Sequence, residues 1–81
     1  MSIGVARVDL DVANGLLQTG ANTVFVNDKP AAFLTTVDAG GFDVVASSTT
    51  VIAEDKGIAR EADPMSNGVL IASASTDVFA N

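Results

Sequence analysis

The stretch Asn22-Thr-Val-Phe-Val-Asn27 decides the fold, because it returns twice at a fixed spacing of 27 residues. It recurs as Thr49-Thr-Val-Ile-Ala-Glu54 and again as Thr76-Asp-Val-Phe-Ala-Asn81. Three copies of 27 residues account for all 81 residues of the chain. A fixed period of this length is typical of a protein built from repeated supersecondary units.

The segment that follows each strand repeats as well. Asp28-Lys-Pro-Ala-Ala-Phe33 matches Asp55-Lys-Gly-Ile-Ala-Arg60, whereas nothing follows the third strand. The missing counterpart is found at the other end of the chain, where Gly4-Val-Ala-Arg7 has the same pattern. We therefore expect the third repeat to be divided between the two termini, which requires the copies to close in a ring. Closure also removes exposed strand edges.

Within each copy, β-branched and aromatic residues form short runs bounded by Gly, Asn, Asp and Pro. This pattern indicates strands of about five or six residues joined by turns. Val5 to Asp11 alternates between apolar and polar positions, as a strand does. One competing signal is the Ala-rich stretch from Ile58 to Ala62, which also suits a single helical turn. We predict one all-β domain over residues 1–81, a small conical pseudo-threefold fold of three ~27-residue repeats.

The composition excludes several classes of function. Ten acidic residues against four basic ones give a net charge of −6, and the chain has no cysteine and no histidine. The negative charge argues against nucleic acid, whose phosphates need clustered Lys and Arg, and against stable docking on an anionic membrane. Without histidine the usual activation of a serine nucleophile is missing, so we predict neither catalysis nor a cofactor.

Two apolar columns run through the three repeats. The first contains Val24, Val51 and Val78, and the second contains Phe25, Ile52 and Phe79. We expect the valine column to form core around an axis. The second column has two interpretations, since it is either the other half of the core or an exposed apolar ring at the base of the cone that binds a partner.

Polar and special residues are expected to have structural roles. Arg7 and Arg60 are expected to pair with nearby carboxylates, and Pro30 is expected to fix a turn. We expect the glycines at positions 15, 41 and 68 to need a positive φ. Four aspartates suggest oxygen ligands for calcium but lack the spacing of a known calcium loop, so we expect solvated turn residues. These are Asp9, Asp11, Asp38 and Asp63.

The repeated segments resemble the PAAR family, which is named for a Pro-Ala-Ala-Arg motif. Lys29-Pro-Ala-Ala32 follows a strand like those of the family, with Phe33 in place of the arginine. Val5-Ala-Arg-Val8 and Ile58-Ala-Arg60 look like degenerate copies of the motif. Members of this family are conical tips on the spikes of contractile phage tails and type VI secretion systems.

The resemblance also implies a metal site that this sequence does not preserve. Family members commonly bind a metal near the apex through histidines and a cysteine, and the matching positions here are Asn14, Gly40 and Asn67. Amide oxygens and a glycine suit zinc poorly, since zinc prefers imidazole and thiolate. We expect a metal-free tip in which Asn14 and Asn67 hold the loops by hydrogen bonds to backbone groups.

The function implied by the resemblance is mechanical. One monomeric tip would cap and sharpen each trimeric β-helical, membrane-piercing spike, docking through Phe25, Ile52 and Phe79. It would be made in the cytoplasm and act in a virion tail or injection-machine spike, with transient contact at the target envelope. The short flanks favour a phage-derived tail over a secretion effector.

Two other classes of function are weighed against the tip. A ring-shaped β-repeat enzyme or sugar-binding module should expose aromatic residues for stacking, yet the chain has no Tyr or Trp and only four Phe. A virion decoration protein would form symmetric oligomers in solution, whereas a tip should stay monomeric until its trimer is supplied. Sedimentation of the isolated protein distinguishes this second alternative from the tip.

Overall fold

A computed structural model describes residues 3–81, so Met1 and Ser2 of the predicted domain lie outside the described residues. The described chain has a radius of gyration of 10.5 Å and extents of 25, 24 and 24 Å. Residues 3–81 contain strands, bridges and turns but no helix, which confirms the all-β class. The alternative helical turn is wrong, because Ile58 and Arg60 both form β-bridges.

Each strand is only two residues long. In chain order they are β1 (Ile3–Gly4), β2 (Val12–Ala13), β3 (Gly15–Leu16), β4 (Phe25–Val26), β5 (Lys29–Pro30), β6 (Ile52–Ala53), β7 (Lys56–Gly57) and β8 (Phe79–Ala80). The prediction of strands about five or six residues long is therefore wrong. The reason is that each segment changes partner after a few residues, so single bridges take the place of long ladders.

In the first two repeats, the strand stretch forms the first half of a hairpin. β4 pairs with β5 and β6 pairs with β7, both antiparallel. The two turn residues of the first hairpin, Asn27 and Asp28, have φ of 52° and 67°, and Glu54 and Asp55 of the second have 51° and 68°. Positive φ at both central positions is the geometry of the tight turn that best matches the twist of a β-hairpin.

The two ends of the described chain also pair. β1 lies antiparallel to β8, with Ile3 opposite Ala80 and Gly4 opposite Phe79. This register matches the first hairpin, where Phe25 lies opposite Pro30. The chain therefore closes on itself, and its ends together form the same kind of pair that a turn forms in the other repeats.

Three alanines form a closed ring of backbone hydrogen bonds at the centre of the domain. Ala6 N donates to Ala59 O at 3.0 Å, Ala59 N to Ala32 O at 2.9 Å, and Ala32 N to Ala6 O at 3.0 Å. All three are fully buried. A side chain larger than methyl would have to fit where three backbones meet, which explains why the repeated motif keeps alanine at this position.

The buried side chains divide into two apolar clusters. Val5, Val26 and Ile58 belong to one, and Leu17 and Met65 belong to the other. The alternation predicted for residues 5–11 is wrong, since residues 5, 6 and 8 are all buried. Val5 lies in the first cluster and Ala6 and Val8 lie in the second, so apolar side chains cover both faces of this segment, as in fully buried strands.

The valine column is core only in part. Val24 and Val51 pack partly buried against the first cluster, whereas Val78 is 37% exposed, so the prediction is wrong for that residue. The fully buried positions lie two residues further along each strand. These are Val26, Ala53 and Ala80. In β4, β6 and β8 the first residue is exposed and the second is buried.

Candidate functional site

Phe25, Ile52 and Phe79 are all exposed, and we call these three side chains the base ring after their predicted place in the cone. Their exposed fractions are 60%, 56% and 52%, so the interpretation of this column as the other half of the core is wrong. Each is the first residue of a two-residue strand whose second residue is buried, and successive residues of a strand point to opposite faces. Docking through the base ring stays a prediction.

Polar side chains tie the neighbouring hairpins together beside the base ring. The Glu54 carboxylate accepts hydrogen bonds from Asn22 N at 2.7 Å and from Thr23 N and Oγ1 at 2.8 Å each. The bond from the Thr23 hydroxyl, with the backbone bonds, lowers the pKa of Glu54. The turn of the second hairpin is thereby fixed against the chain that leads into the first.

A second group joins the first hairpin to the last repeat. Asn27 Oδ1 accepts from Ser75 Oγ at 2.7 Å and from Arg7 Nη1 at 3.0 Å, while its amide nitrogen donates to Asp77 at 2.9 Å. The Asn27 amide and the Ser75 hydroxyl lower the pKa of Asp77. With the Glu54 contacts, this links the first hairpin to both the second hairpin and the last repeat.

The two arginines of the degenerate motifs are paired, as predicted. Arg7 Nε lies 2.8 Å from Asp11 Oδ2, and Arg60 Nη2 lies 2.8 Å from Asp63 Oδ1. In both pairs the carboxylate also accepts the backbone N–H of its arginine. Phe33 takes the place of arginine in the remaining repeat, where the Lys56 ammonium lies 4.8 Å from its ring centroid.

The prediction that the four aspartates are solvated is right only for Asp9, which is exposed in a turn with φ of 62°. Asp11, Asp38 and Asp63 are 1%, 1% and 5% exposed. They are buried because each carboxylate accepts backbone N–H groups of its own turn, and two of them also accept a guanidinium. Such bonds offset the cost of removing a charge from water.

Three turns are in contact, namely Asn14-Gly15, Gly40-Gly41 and Asn67-Gly68, and we call them the apex after their predicted place in the cone. The glycines at 15, 41 and 68 have φ of 87°, 88° and 88°, which confirms the predicted positive φ. Asn14 Nδ2 donates to Asn67 Oδ1 at 3.1 Å, and Asn67 Nδ2 donates back to Asn14 Oδ1 at 3.0 Å. Gly40 N donates to Asn14 O at 2.9 Å. The structure thus brings all three predicted positions together.

The predicted bonds from these asparagine side chains to backbone groups are confirmed for Asn67 alone. Its Oδ1 accepts from Val69 N at 3.2 Å, whereas the Asn14 amide bonds to Asn67 and to the carboxylate of Asp38. The prediction is wrong for Asn14 because a buried carboxylate, which sequence reasoning had placed in solvent, lies within its reach.

Asp38 is the organising group of the apex. Its carboxylate accepts from Asn14 N and Nδ2 at 3.1 and 2.9 Å, and from Gly40 N and Phe42 N at 3.0 Å each. Burial by itself raises the pKa of Asp38, but the hydrogen bonds from Asn14, Phe42 and Gly40 outweigh it and the pKa is lowered. An aspartate two residues before a Gly-Gly turn is the sequence signal that indicates this role.

The described chain offers little else that resembles a chemical site. Across residues 3–81, no three His, Cys, Asp or Glu side chains are close enough to hold a metal ion. The surface of the same residues has no detectable pocket. None of these residues belongs to a helix of the length and apolarity needed to cross a membrane.

A comparison with models of known protein families found no match, and a search of curated proteins found no similar sequence.

Proposed function

We propose that this protein is a PAAR-like tip that caps and sharpens a trimeric β-helical spike of a contractile injection machine, without catalysis. The observation that carries the proposal is the base ring, in which Phe25, Ile52 and Phe79 are exposed at matching positions of three similarly paired strands. Three large apolar side chains left in water at repeated positions favour a partner that covers them.

In this proposal the three repeats surround an approximate threefold axis. Support comes from the cyclic hydrogen bonds of Ala6, Ala32 and Ala59, in which each alanine donates to one and accepts from the other. Further support comes from the pairing of Ile3 with Ala80, which supplies with two chain ends what the hairpins supply with a turn. A chain of this form offers three nearly equivalent patches to three subunits of a true trimer.

The energetics suit a modest but repeated contact. Burying a Phe or Ile side chain contributes about 1.5–3 kcal/mol. One such side chain per spike subunit offsets part of the several kcal/mol lost when two bodies associate. Because one tip contacts all three subunits, it gains the free energy of burial three times but loses its freedom of motion only once. Axial force from the contracting machine would press the contact together.

The apex is consistent with transient entry into a target envelope. None of the six residues in the three apex turns is charged. Gly40 N, Gly41 N and Gly68 N all have acceptors within the protein. Polar groups that are satisfied internally cost less to move into lipid than groups that must give up water. In this proposal the protein is made in the cytoplasm and acts in a virion tail or similar spike.

The test is the stoichiometry of the tip with its spike. The chain is co-expressed with the spike protein encoded beside it, and the purified complex is weighed by native mass spectrometry. One tip per three spike chains is expected, whereas equal numbers contradict the proposal. The isolated tip should sediment as a monomer, while a symmetric oligomer would favour a decoration protein.

A matched pair of variants connects the stoichiometry to the base ring. Phe79 and Val45 are both 52% exposed, but only Phe79 belongs to the ring. Phe79→Ser is expected to weaken the complex by about tenfold or more, the equivalent of about 1.4 kcal/mol. Val45→Ser is expected to leave the complex unchanged, and equal weakening by both variants would show that the ring is not the docking surface.

A further inference from the structure

Two of the three apex turns contain an asparagine followed by glycine, Asn14-Gly15 and Asn67-Gly68. Asparagine before glycine is the arrangement most open to deamidation, because a glycine has no Cβ to shield its nitrogen from the preceding side-chain amide. We propose that Asn14 and Asn67 are a coupled pair of deamidation sites, in which each amide protects the other and Asn67 reacts first.

The reaction uses only the chain and water. The backbone nitrogen of Gly68 attacks Cγ of Asn67, and a C–N bond forms while the Cγ–Nδ2 bond breaks. The amide nitrogen leaves as ammonia and takes the proton that Gly68 N loses. A water molecule then opens the cyclic imide at either carbonyl, giving aspartate or isoaspartate. The rate rises with pH, because the attacking nitrogen must give up its proton.

The folded apex holds Asn67 away from this reaction. Gly68 N donates to Met65 O at 2.8 Å, so the nucleophile is engaged elsewhere. The Asn67 amide is held by both bonds to Asn14 and by the bond from Val69 N. Attack therefore requires the turn to open locally, and the free energy of that opening sets the rate in the folded protein.

Asn14 is held more firmly than Asn67, which sets the order. The Asn14 backbone nitrogen and side-chain amide both donate to the buried Asp38 carboxylate. A Cβ built on Gly15 would lie 2.8 Å from the Ala39 Cβ, whereas one built on Gly68 would meet nothing within 4 Å. The turn of Asn14 is thus packed against a neighbour, while the turn of Asn67 opens into free space.

Reaction at Asn67 changes the apex irreversibly. The new carboxylate has no N–H to donate, so Asn14 Oδ1 loses the bond from Asn67 Nδ2. It also places a negative charge near Asp38, whose carboxylate is already charged and buried. Asn14 Nδ2 keeps its acceptors, but Asn14 Oδ1 is left beside the new carboxylate without a donor from residue 67. The first reaction therefore weakens the protection of the second site and adds a second negative charge beside Asp38.

The experiment follows deamidation of the purified protein over time at mildly alkaline pH. Peptide mapping that separates aspartate from isoaspartate measures each site, in native buffer and in urea. In native buffer the Asn67 product is expected first, and in urea both sites are expected to react faster and at similar rates. Earlier reaction of Asn14, or native rates equal to those in urea, would overturn the proposal without any variant.

The coupling is tested by variants of the pair. Asn14→Ser removes the partner amide and is expected to speed deamidation of Asn67 by about tenfold, the factor that corresponds to about 1.4 kcal/mol of opening free energy. Asn22→Ser is the control, because that asparagine is exposed and lies outside the apex, so its side chain does not hold the Asn67 turn. An unchanged Asn67 rate in Asn14→Ser would contradict mutual protection.

Discussion

The Arg60 guanidinium and the Asp63 carboxylate form a closed pair, since Nη2 donates to Oδ1 at 2.8 Å and the backbone N–H of Arg60 donates to Oδ2 at 2.7 Å. Phe33 and Thr36 occupy matching places in another repeat. They keep only the backbone bond, from Phe33 N to Thr36 Oγ1 at 2.9 Å. One repeat thus has an ion pair where the other has an aromatic ring and a hydroxyl, and the two positions differ together.

Arg60→Phe alone is predicted to destabilise the domain by about 1.5–3 kcal/mol, because the buried Asp63 carboxylate loses its guanidinium hydrogen bonds and keeps only the one from the backbone. The double variant Arg60→Phe/Asp63→Thr copies the other repeat and should recover most of that loss. Urea unfolding followed by circular dichroism measures both variants. Equal destabilisation by the single and double variants would show that the two positions do not act together.

Stability is predicted to fall in acid through carboxylates with a lowered pKa, of which Asp38 is the most buried. A lowered pKa in the folded chain means that the unfolded chain binds protons more readily. The stabilisation is therefore fully present above the ordinary value of 3.8 and is lost as the pH falls through the lower folded value. Urea midpoints measured between neutral pH and acid give the profile.

Asp38→Asn is the control for this profile. It should be less stable than the parent at neutral pH, because an amide accepts weaker hydrogen bonds than a carboxylate. Its stability should depend less on pH in the acid range. A variant whose acid profile overlies that of the parent would assign the acid loss to other groups, such as Glu54 and Asp77, whose pKa values are also lowered.

Substitutions on the two faces of strand β4 are predicted to change stability by very different amounts. Phe25→Ser should change the free energy of unfolding by no more than about 0.5 kcal/mol, as is usual at exposed sites. Val26→Ser, one residue later, buries a hydroxyl and empties a core position, and should cost about 2–4 kcal/mol. Thermal unfolding of both variants checks the prediction, and a large loss from Phe25→Ser would place that side chain in the core.

Features set by local pattern were predictable from the sequence. Each paired arginine is followed three or four residues later by its aspartate, and the apex glycines lie in turn-forming sequences. The all-β class follows from short runs of β-branched residues between turn residues. In each case the residues that determine the feature are neighbours in the chain, so a single sequence contains enough information.

The pairing of the two chain ends was predicted from the divided repeat, but other features that depend on distant neighbours were missed. Strand length was overestimated because the bridging segments change partner, and no local pattern records where they do so. Burial of Asp38 depends on Asn14, which is 24 residues away. Exposure of the base ring depends on the pairing of each hairpin, so propensity alone left two interpretations open.

If one chain closes three β units head to tail, a circular permutant in which β8 is joined to β1 should still fold. The permutant begins at Asp28, runs to Asn81, continues through one added glycine into Ile3 and ends at Asn27. The new Asn-Gly turn joins β8 to β1 and has the two-residue length and the sequence that tight hairpins prefer. Opening the chain between Ala31 and Ala32 breaks the central ring and is the control.

Chemical denaturation of the permutant is the decisive measurement. We expect one cooperative transition, with a free energy of unfolding within about 1 kcal/mol of the parent, and an unfolded or strongly destabilised control. A permutant that fails to fold would contradict head-to-tail closure, because it would show that the two ends of the chain do not form a pair equivalent to the other hairpins.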